Sequence, residues 1–309
     1  MVGTILASLV PVFLVMALGY VAGLTRDIDN TDIGALNGLV MDFALPAALF
    51  TAMAQTPRSA MMEQADLTLV LVVVMLVVFA LGYWAQTLAL RQDRGTSALM
   101  AMTASGPNVG AAGLPVISAV FSRSASVSVA VAVAVAAIFL TPLTLVLVES
   151  ARGGKAPIRA SILKALMMPV VLAPMLGLAV SLAEVPIPAL VNSSLTLVGQ
   201  GAAGAALFLT GLVLSAQPVV FNGRVMFIVA LKNVVQPVLA GILAGSLFGG
   251  ETARLAVILT AVPSGAFGVL FAVRYRLASA EIGTALIAST LASAATLAAA
   301  IAISSVLWG

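Results

Sequence analysis

The sequence predicts an all-α membrane protein with ten transmembrane helices, built as two inverted five-helix repeats. Three observations support this prediction: 62% of the 309 residues are hydrophobic, only 8% are charged, and the two halves share a sequence pattern. Soluble domains carry roughly 25% charged residues, so lipid must replace water around most of this chain. The sequence has no His and no Cys, which removes the usual metal ligands and the neutral-pH proton carrier. We therefore expect no cofactor and, despite a net charge of +3, no nucleic-acid partner.

Ten apolar segments have the length of roughly 20 residues that a spanning helix requires. The connections between them are short, and Met1-Val2-Gly3 lacks the basic start of a cleaved signal peptide. Segments 2 and 9 are the least regular, because prolines and polar residues interrupt them. The predicted spans are 4–24, 33–53, 67–90, 96–121, 127–149, 160–182, 188–214, 225–248, 252–275 and 280–308.

Lys and Arg are distributed unevenly between the two sides of these spans. The side reached after odd-numbered helices holds ten of them and the other side holds three, while Lys232 lies inside a span. The positive-inside rule makes the richer side cytoplasmic, so we expect both termini outside the inner membrane of a bacterial cell. The ten residues are Arg26, Arg91, Arg94, Arg152, Lys155, Arg159, Lys164, Arg224, Arg274 and Arg276; the three are Arg58, Arg123 and Arg254.

The second half of the chain repeats the first at an offset of 158. Segment 11–24 aligns with 169–182 with six of fourteen positions identical, 46–50 aligns with 204–208, and Pro107 meets Pro263 at the nearby offset of 156. Since five helices is an odd number, the second copy enters the membrane from the opposite face, as in many secondary transporters. Channels and a few membrane enzymes share this architecture. The predicted units are 1–150, a cytoplasmic hinge at 151–158, and 159–309.

Prolines flanked by glycines interrupt segments 4 and 9 near the bilayer centre. A proline inside a helix removes one backbone hydrogen bond, and unwound backbone is tolerated in a membrane only within protein or beside a wet cavity. The N–H groups after such a break suit an anion and the freed carbonyls before it suit a cation. A kink that serves packing alone is the competing interpretation. The predicted substrate-binding residues are Pro107, Asn108, Val109, Gly110, Pro263, Ser264 and Gly265.

Two ionisable residues, Asp42 and Lys232, lie well inside predicted spans, where charge is costly and usually functional. Asp42 has Gln200 as its repeat partner, which indicates a shared polar position for coupling or for the scaffold; a structural Asp bonded to backbone near Pro46 is the alternative. Lys232 either extends its ammonium group to water or faces the point where the two broken segments would meet. There it would balance a substrate carboxylate or replace a coupling cation. Asn233 would join it in binding substrate, and Gln236 is a further polar candidate.

The run Asn108-Val109-Gly110-Ala111-Ala112-Gly113-Leu114-Pro115, the stretch Phe43-Ala44-Leu45-Pro46-Ala47 and the break at Pro263 resemble the auxin efflux carrier family. The resemblance implies a scaffold of helices 1, 2, 6 and 7, and a mobile transport domain of helices 3–5 and 8–10 in which helices 4 and 9 cross. It also implies an organic-anion substrate. The plant N-P-N-x-Y motif reads Gly106-Pro107-Asn108-Val109-Gly110 here, and the long central loop is missing. Both departures favour malonate or a similar small carboxylate over auxin.

We therefore expect a secondary active transporter that carries a small organic anion by elevator-type alternating access. No ATP-binding motif is present, so a gradient of H⁺ or Na⁺ would drive it. The more distant bile acid/sodium symporters share the crossed-helix plan, which keeps sodium coupling open, and a non-transporting receptor or sensor on the same fold is the other alternative. An enzyme is not expected, because no nucleophile–base pair can be assembled. A homodimer is compatible with this plan.

Overall fold

The structure, a computed structural model, describes residues 2–121, 125–152 and 158–308. All regular elements in these ranges are helices, and the predicted hinge at 151–158 lies mostly outside them. The helices are α1 (Val2–Leu24), α2 (Gly34–Ala54), α3 (Arg58–Glu63), α4 (Ala65–Ala89), α5 (Arg94–Ser105), α6 (Val109–Val120), α7 (Ala125–Val135, Ala136–Leu140 and Thr141–Arg152), α8 (Ile158–Leu166), α9 (Pro169–Leu182), α10 (Ala189–Ser215), α11 (Gly223–Leu247), α12 (Gly250–Ala261), α13 (Phe267–Tyr275) and α14 (Ala280–Trp308).

Six of these helices, α2, α4, α7, α10, α11 and α14, are long and apolar enough to cross a membrane. The chain is therefore a multi-pass helical membrane protein. The predicted span 160–182 is not one straight helix, because α8 and α9 meet at an angle of 66°. Pro169 explains the bend, since a proline pushes the preceding residue, Met168, into extended backbone. The other predicted spans correspond to α1 and to the broken pairs α5/α6 and α12/α13, so the count of ten remains a prediction.

Prolines also account for most of the π-helical turns that interrupt the long helices. The turns Leu39–Ala44, Val109–Gly113, Ala136–Leu140 and Leu231–Val235 each end two residues before a proline. A proline cannot donate to the carbonyl four residues earlier and its ring collides with it, and one wider turn relieves both problems while the helix continues. For this reason α2 remains a single element although Asp42 and Pro46 lie inside it.

Glycines allow two pairs of helices to cross closely, α1 with α10 and α2 with α9. Gly19 of α1 lies against the backbone carbonyl of Phe208 in α10, and Gly177 of α9 lies against the carbonyl of Phe50 in α2. A side chain at either glycine would overlap that carbonyl, so only Gly permits these approaches. The two contacts are related by the sequence offset, because 19 + 158 = 177 and 50 + 158 = 208.

The remaining helices surround two short ones at the centre of the molecule. α5 packs against α4 and α7, and α12 packs in the same manner against α11 and α14. Every residue from Gly95 to Ser105 is buried, as are those from Leu255 to Ala261. The C-terminal ends of α5 and α12 therefore lie inside protein, and the unwound backbone that follows each of them is shielded from lipid.

Candidate functional site

The two broken helices meet at their breaks. After α5 ends, Gly106 and Pro107 are extended until α6 begins, and residues 262–266 separate α12 from α13. The N–H of Asn108 donates to the carbonyl of Pro263 at 2.8 Å, and the N–H of Gly265 donates to the carbonyl of Gly106 at 2.8 Å. These bonds form an isolated antiparallel pair that satisfies backbone groups left over by the prolines.

Pro107 lies opposite Ser264 in this pair. Pro107 and Pro263 are 156 positions apart in the sequence, whereas the two backbone bonds are related by an offset of 157. The shift has a physical reason. It allows the Ser264 hydroxyl to donate to the carbonyl of Thr103 at 2.8 Å, and that carbonyl is the one deprived of its helical donor by Pro107.

Side chains from α11 satisfy two further carbonyls at the ends of the half-helices. The amide nitrogen of Gln236 donates to the carbonyl of Ser105 at 2.7 Å, and the ammonium group of Lys232 donates to the carbonyl of Thr260 at 2.6 Å. Lys232 also donates to Gln236 Oε1 at 2.7 Å. One network therefore joins the C-terminal ends of α5 and α12, where the partial negative charges of both helix dipoles collect.

Lys232 is 0% exposed, so its ammonium group does not extend to water as one sequence interpretation proposed. It lies on the π-helical turn of α11. Its neighbour Asn233 exchanges hydrogen bonds with Ser289, whose hydroxyl also accepts from the N–H of Ser264. Asn233 therefore supports the crossing through Ser289, a residue on α14 that no local sequence signal marked.

A cavity of about 270 Å³ lies on one side of the crossing. Six of the predicted residues line it: Pro107, Asn108, Val109, Gly110, Gly265 and Gln200. The other six are not among its lining residues: Pro263, Ser264, Lys232, Asn233, Asp42 and Gln236. The rest of the wall is mostly apolar and comes from α2, α7, α10 and α13, including Leu45, Leu49, Leu140, Leu207 and Phe267, which the sequence analysis did not select.

The polar features of this cavity favour negative charge. The first residues of α6 and of α13 line it, so the positive ends of two helix dipoles converge there. In the first turn of α6 the N–H of Val109 already donates to the carbonyl of Pro107 and that of Ala111 to the side chain of Asn108. Asn108 is half-buried, and its Oδ1 accepts from the N–H of Ala111 at 3.4 Å. Its amide nitrogen donates to no other group in the described chain. Among the described residues no group of His, Cys, Asp or Glu side chains could hold a metal ion.

Asp42 lies outside the cavity and is bound to Arg274, with 2.6 Å between its Oδ1 and the guanidinium nitrogen. Both side chains are about one-third exposed, at 31% for Asp42 and 29% for Arg274. The pair connects α2 to the end of α13, where Asn37 of α2 also donates to the carbonyl of Leu270. Gln200, which corresponds to Asp42 in the sequence repeat, lines the cavity instead. The two positions therefore have different surroundings.

A helical membrane protein in which two broken helices cross beside an anion-favouring cavity has the form of a membrane transporter. The chain belongs to the membrane transport protein family, whose model matches residues 4–301. This match confirms the resemblance to the auxin efflux carriers. The chain is also similar to the uncharacterized transporter YfdV of Escherichia coli K12 and O157:H7 and of Shigella flexneri, with 28% identity over 290 residues and 92% of each chain covered.

Proposed function

We propose that this membrane transporter is a secondary active carrier of a small organic anion, malonate or a similar carboxylate. The observation that supports the proposal most strongly is the convergence of two helix N-termini on a cavity beside the crossing, with Asn108 in its wall. Helix N-termini bind carboxylates through backbone N–H groups without a full positive charge. A site of this kind holds an anion firmly enough to select it and weakly enough to release it.

The size and lining of the cavity support a small substrate. At about 270 Å³ it lies near the lower end of the roughly 300–1,000 Å³ typical of ligand sites. Among the residues that the structure describes, no Lys or Arg lines it, so the helix dipoles, Asn108 and Gln200 would carry the recognition of the carboxylate. The leucines opposite them would contact the carbon skeleton.

Elevator-type movement is supported by the way the helices group. The glycine contacts of α1 with α10 and of α2 with α9 form a framework whose two halves exchange at an offset of 158, as expected for inverted repeats. The crossing and its network belong to the other group, α4–α7 and α11–α14. The Asp42–Arg274 pair joins the two groups, and we propose that it opens when the second group moves.

Lys232 supports transport without a sodium gradient. Carbonyls at the C-terminal ends of half-helices bind coupling cations in many carriers, and here a fixed ammonium group donates to Thr260 and supports Ser105 through Gln236. The protein thus supplies its own cation at that position. A proton on Asp42 or on the substrate would then provide the coupling.

Uptake into proteoliposomes tests the proposal. Labelled malonate, malate and an aromatic acid would be offered with sodium and proton gradients imposed separately, to the unaltered protein and to Asn108→Ala. We expect malonate or malate uptake that needs no sodium, and its loss in Asn108→Ala. Asn192→Ala is the matched control, since Asn192 binds Gln55 away from the cavity. Normal transport kinetics in folded Asn108→Ala protein would refute the proposed site.

A further inference from the structure

Two adjoining cavities lie apart from the crossing, where α7, α8 and α13 end. One is polar, has a volume of about 290 Å³ and is lined by Glu149, Arg152, Lys164, Met168, Arg274 and Tyr275. The other is an apolar groove of about 440 Å³ lined by Ala160, Leu163, Lys164, Met167, Met168, Pro169 and Arg274. Lys164, Met168 and Arg274 belong to both, so a single molecule could occupy the two spaces at once. Neither cavity shares a residue with the one beside the crossing.

The polar cavity carries an excess of positive charge. Lys164 pairs with Glu149 at 2.7 Å, and Arg274 pairs with Asp42, so each carboxylate already has a cation. Arg152 has no carboxylate partner in the described chain; its guanidinium group lies 5.5 Å from the centre of the Tyr275 ring and donates to the Tyr275 carbonyl. A phosphate group would therefore find one unpaired guanidinium and two further cations within the same lining.

The groove beside it is formed by a helix that is sharply bent from the helix that follows it. α8 is bent by 66° from α9 and exposes apolar side chains together with basic ones: Ile158, Arg159, Ile162, Leu163, Lys164 and Met167. α8 is short and amphipathic, and helices of this kind lie along a membrane interface, with apolar residues against acyl chains and basic residues among headgroups. In that position the groove would lie at the level where a lipid's polar headgroup joins its apolar acyl chains.

We propose that these two cavities bind one anionic phospholipid, with its phosphate beside Arg152 and Lys164 and an acyl chain along Leu163 and Met167. Basic pockets between transmembrane helices are known recognition sites for anionic headgroups. The bound lipid would link α7 and α13 to α8. Arg274 also belongs to the ion pair with Asp42, but the lipid site does not depend on the proposed carrier function.

The test compares lipids and variants by native mass spectrometry and thermal unfolding of the purified full-length protein. The probes are dioleoyl phosphatidylglycerol and dioleoyl phosphatidylcholine, which share acyl chains and differ in charge. We expect one phosphatidylglycerol to be retained with at least about tenfold preference, which corresponds to about 1.4 kcal/mol. The double variant Arg152→Gln/Lys164→Gln should lose that preference. The control Arg58→Gln/Arg94→Gln removes two exposed arginines elsewhere and should keep it.

Two further arms separate a lipid site from a site for free phosphate and from general charge attraction. Inorganic phosphate and glycerol 3-phosphate at millimolar concentration should not displace the lipid, and Leu163→Ser should weaken phosphatidylglycerol binding while all charges remain. If the double variant fails to fold, Leu163→Ser and Arg152→Lys, which keeps the charge, decide the matter. Equal retention of both lipids, equal loss in the control, or displacement by inorganic phosphate would overturn the proposal.

Discussion

The two breaks have nearly the same backbone and very different surroundings. The first, at Pro107 and Asn108, opens on the cavity. The second, at Pro263 and Ser264, is buried, and Ser264 bonds to Thr103 and Ser289. Lys232 donates to the Thr260 carbonyl before the second break. The position that corresponds to it at the repeat offset of 158 is Val74, an apolar residue. The two breaks therefore contribute unequally to the cavity: the first lines it with Pro107 to Gly110, while the second lines it with Gly265 and Ala266 and buries Pro263 and Ser264 at the crossing.

Among changes to the network at the crossing, the largest effect is expected from removing the fixed cation. Lys232→Ala would leave the Thr260 carbonyl and Gln236 Oε1 buried without their donor, at a cost of about 1–3 kcal/mol for each. We expect uptake to fall at least about 100-fold, equivalent to about 2.7 kcal/mol. Ethylammonium or Na⁺ in the assay should raise uptake by this variant at least about tenfold, because the vacated space still presents carbonyl oxygens.

Lys232→Met is the matched control, since it fills the same space without charge and leaves no room for an added cation. It should lose uptake and show no rescue by ethylammonium. Undiminished uptake by well-expressed Lys232→Met would contradict any role for the ammonium group. Rescue of both variants by sodium would instead show a sodium site elsewhere in the protein.

The next effect concerns the framework, where the two halves should behave alike. Gly19→Ala and Gly177→Ala each place a methyl group against a backbone carbonyl, of Phe208 and of Phe50. Overpacking of this kind costs about 1–3 kcal/mol, so we expect each variant to lower the unfolding temperature by about 5 °C. Gly204→Ala is the control, because nothing lies within 4 Å of the added carbon. A large effect of one substitution and none of the other would contradict the equivalence of the halves.

Local signals in the sequence predicted the breaks well, because proline and glycine act through backbone geometry within a few residues. The bend before Pro169 and four of the π-helical turns have the same cause, although Pro11 and Pro174 lie within uninterrupted α-helices. The sequence could not indicate which side chains would support the crossing. Lys232 and Thr260 are 28 positions apart and Ser264 and Thr103 are 161 apart. In a chain so rich in apolar helices, only the packing decides which polar side chains meet.

The same limit explains why half of the predicted site residues lie outside the cavity. Lys232 and Asn233 were selected because polar residues inside a span are unusual, and the structure uses them to support the crossing. Asn108 was selected because it follows a proline break, and it does line the cavity. Polarity within a span therefore indicated residues that support the crossing, while proximity to unwound backbone indicated cavity residues at the first break but not Pro263 and Ser264 at the second.

A moderate effect should distinguish Ser264, which supports the crossing, from Asn108, which lines the cavity. Ser264→Ala removes the hydroxyl that donates to the buried Thr103 carbonyl, at a cost of about 1–3 kcal/mol. We expect a lower unfolding temperature with KM for the anion changed less than about twofold. Asn108→Ala should instead abolish uptake and lower the unfolding temperature less, because it loses only the long 3.4 Å bond to the Ala111 N–H. Ser305→Ala, at an exposed hydroxyl of α14, is the control. The comparison fails if Ser264→Ala raises KM strongly at normal stability.

The smallest effect is expected at the ion pair between α2 and α13. Asp42 and Arg274 are each about one-third exposed, so screening by water limits their attraction to about 1 kcal/mol or less, or at most about a fivefold change in uptake rate. Asp42→Asn and Arg274→Gln should each produce a change of that size, and the double variant should change the rate no further, because the interaction is already lost. Initial uptake rates of all four proteins measure this coupling. A complete loss of proton-driven accumulation in Asp42→Asn alone would show instead that Asp42 carries the coupled proton, since breaking a screened ion pair cannot remove the driving force of transport.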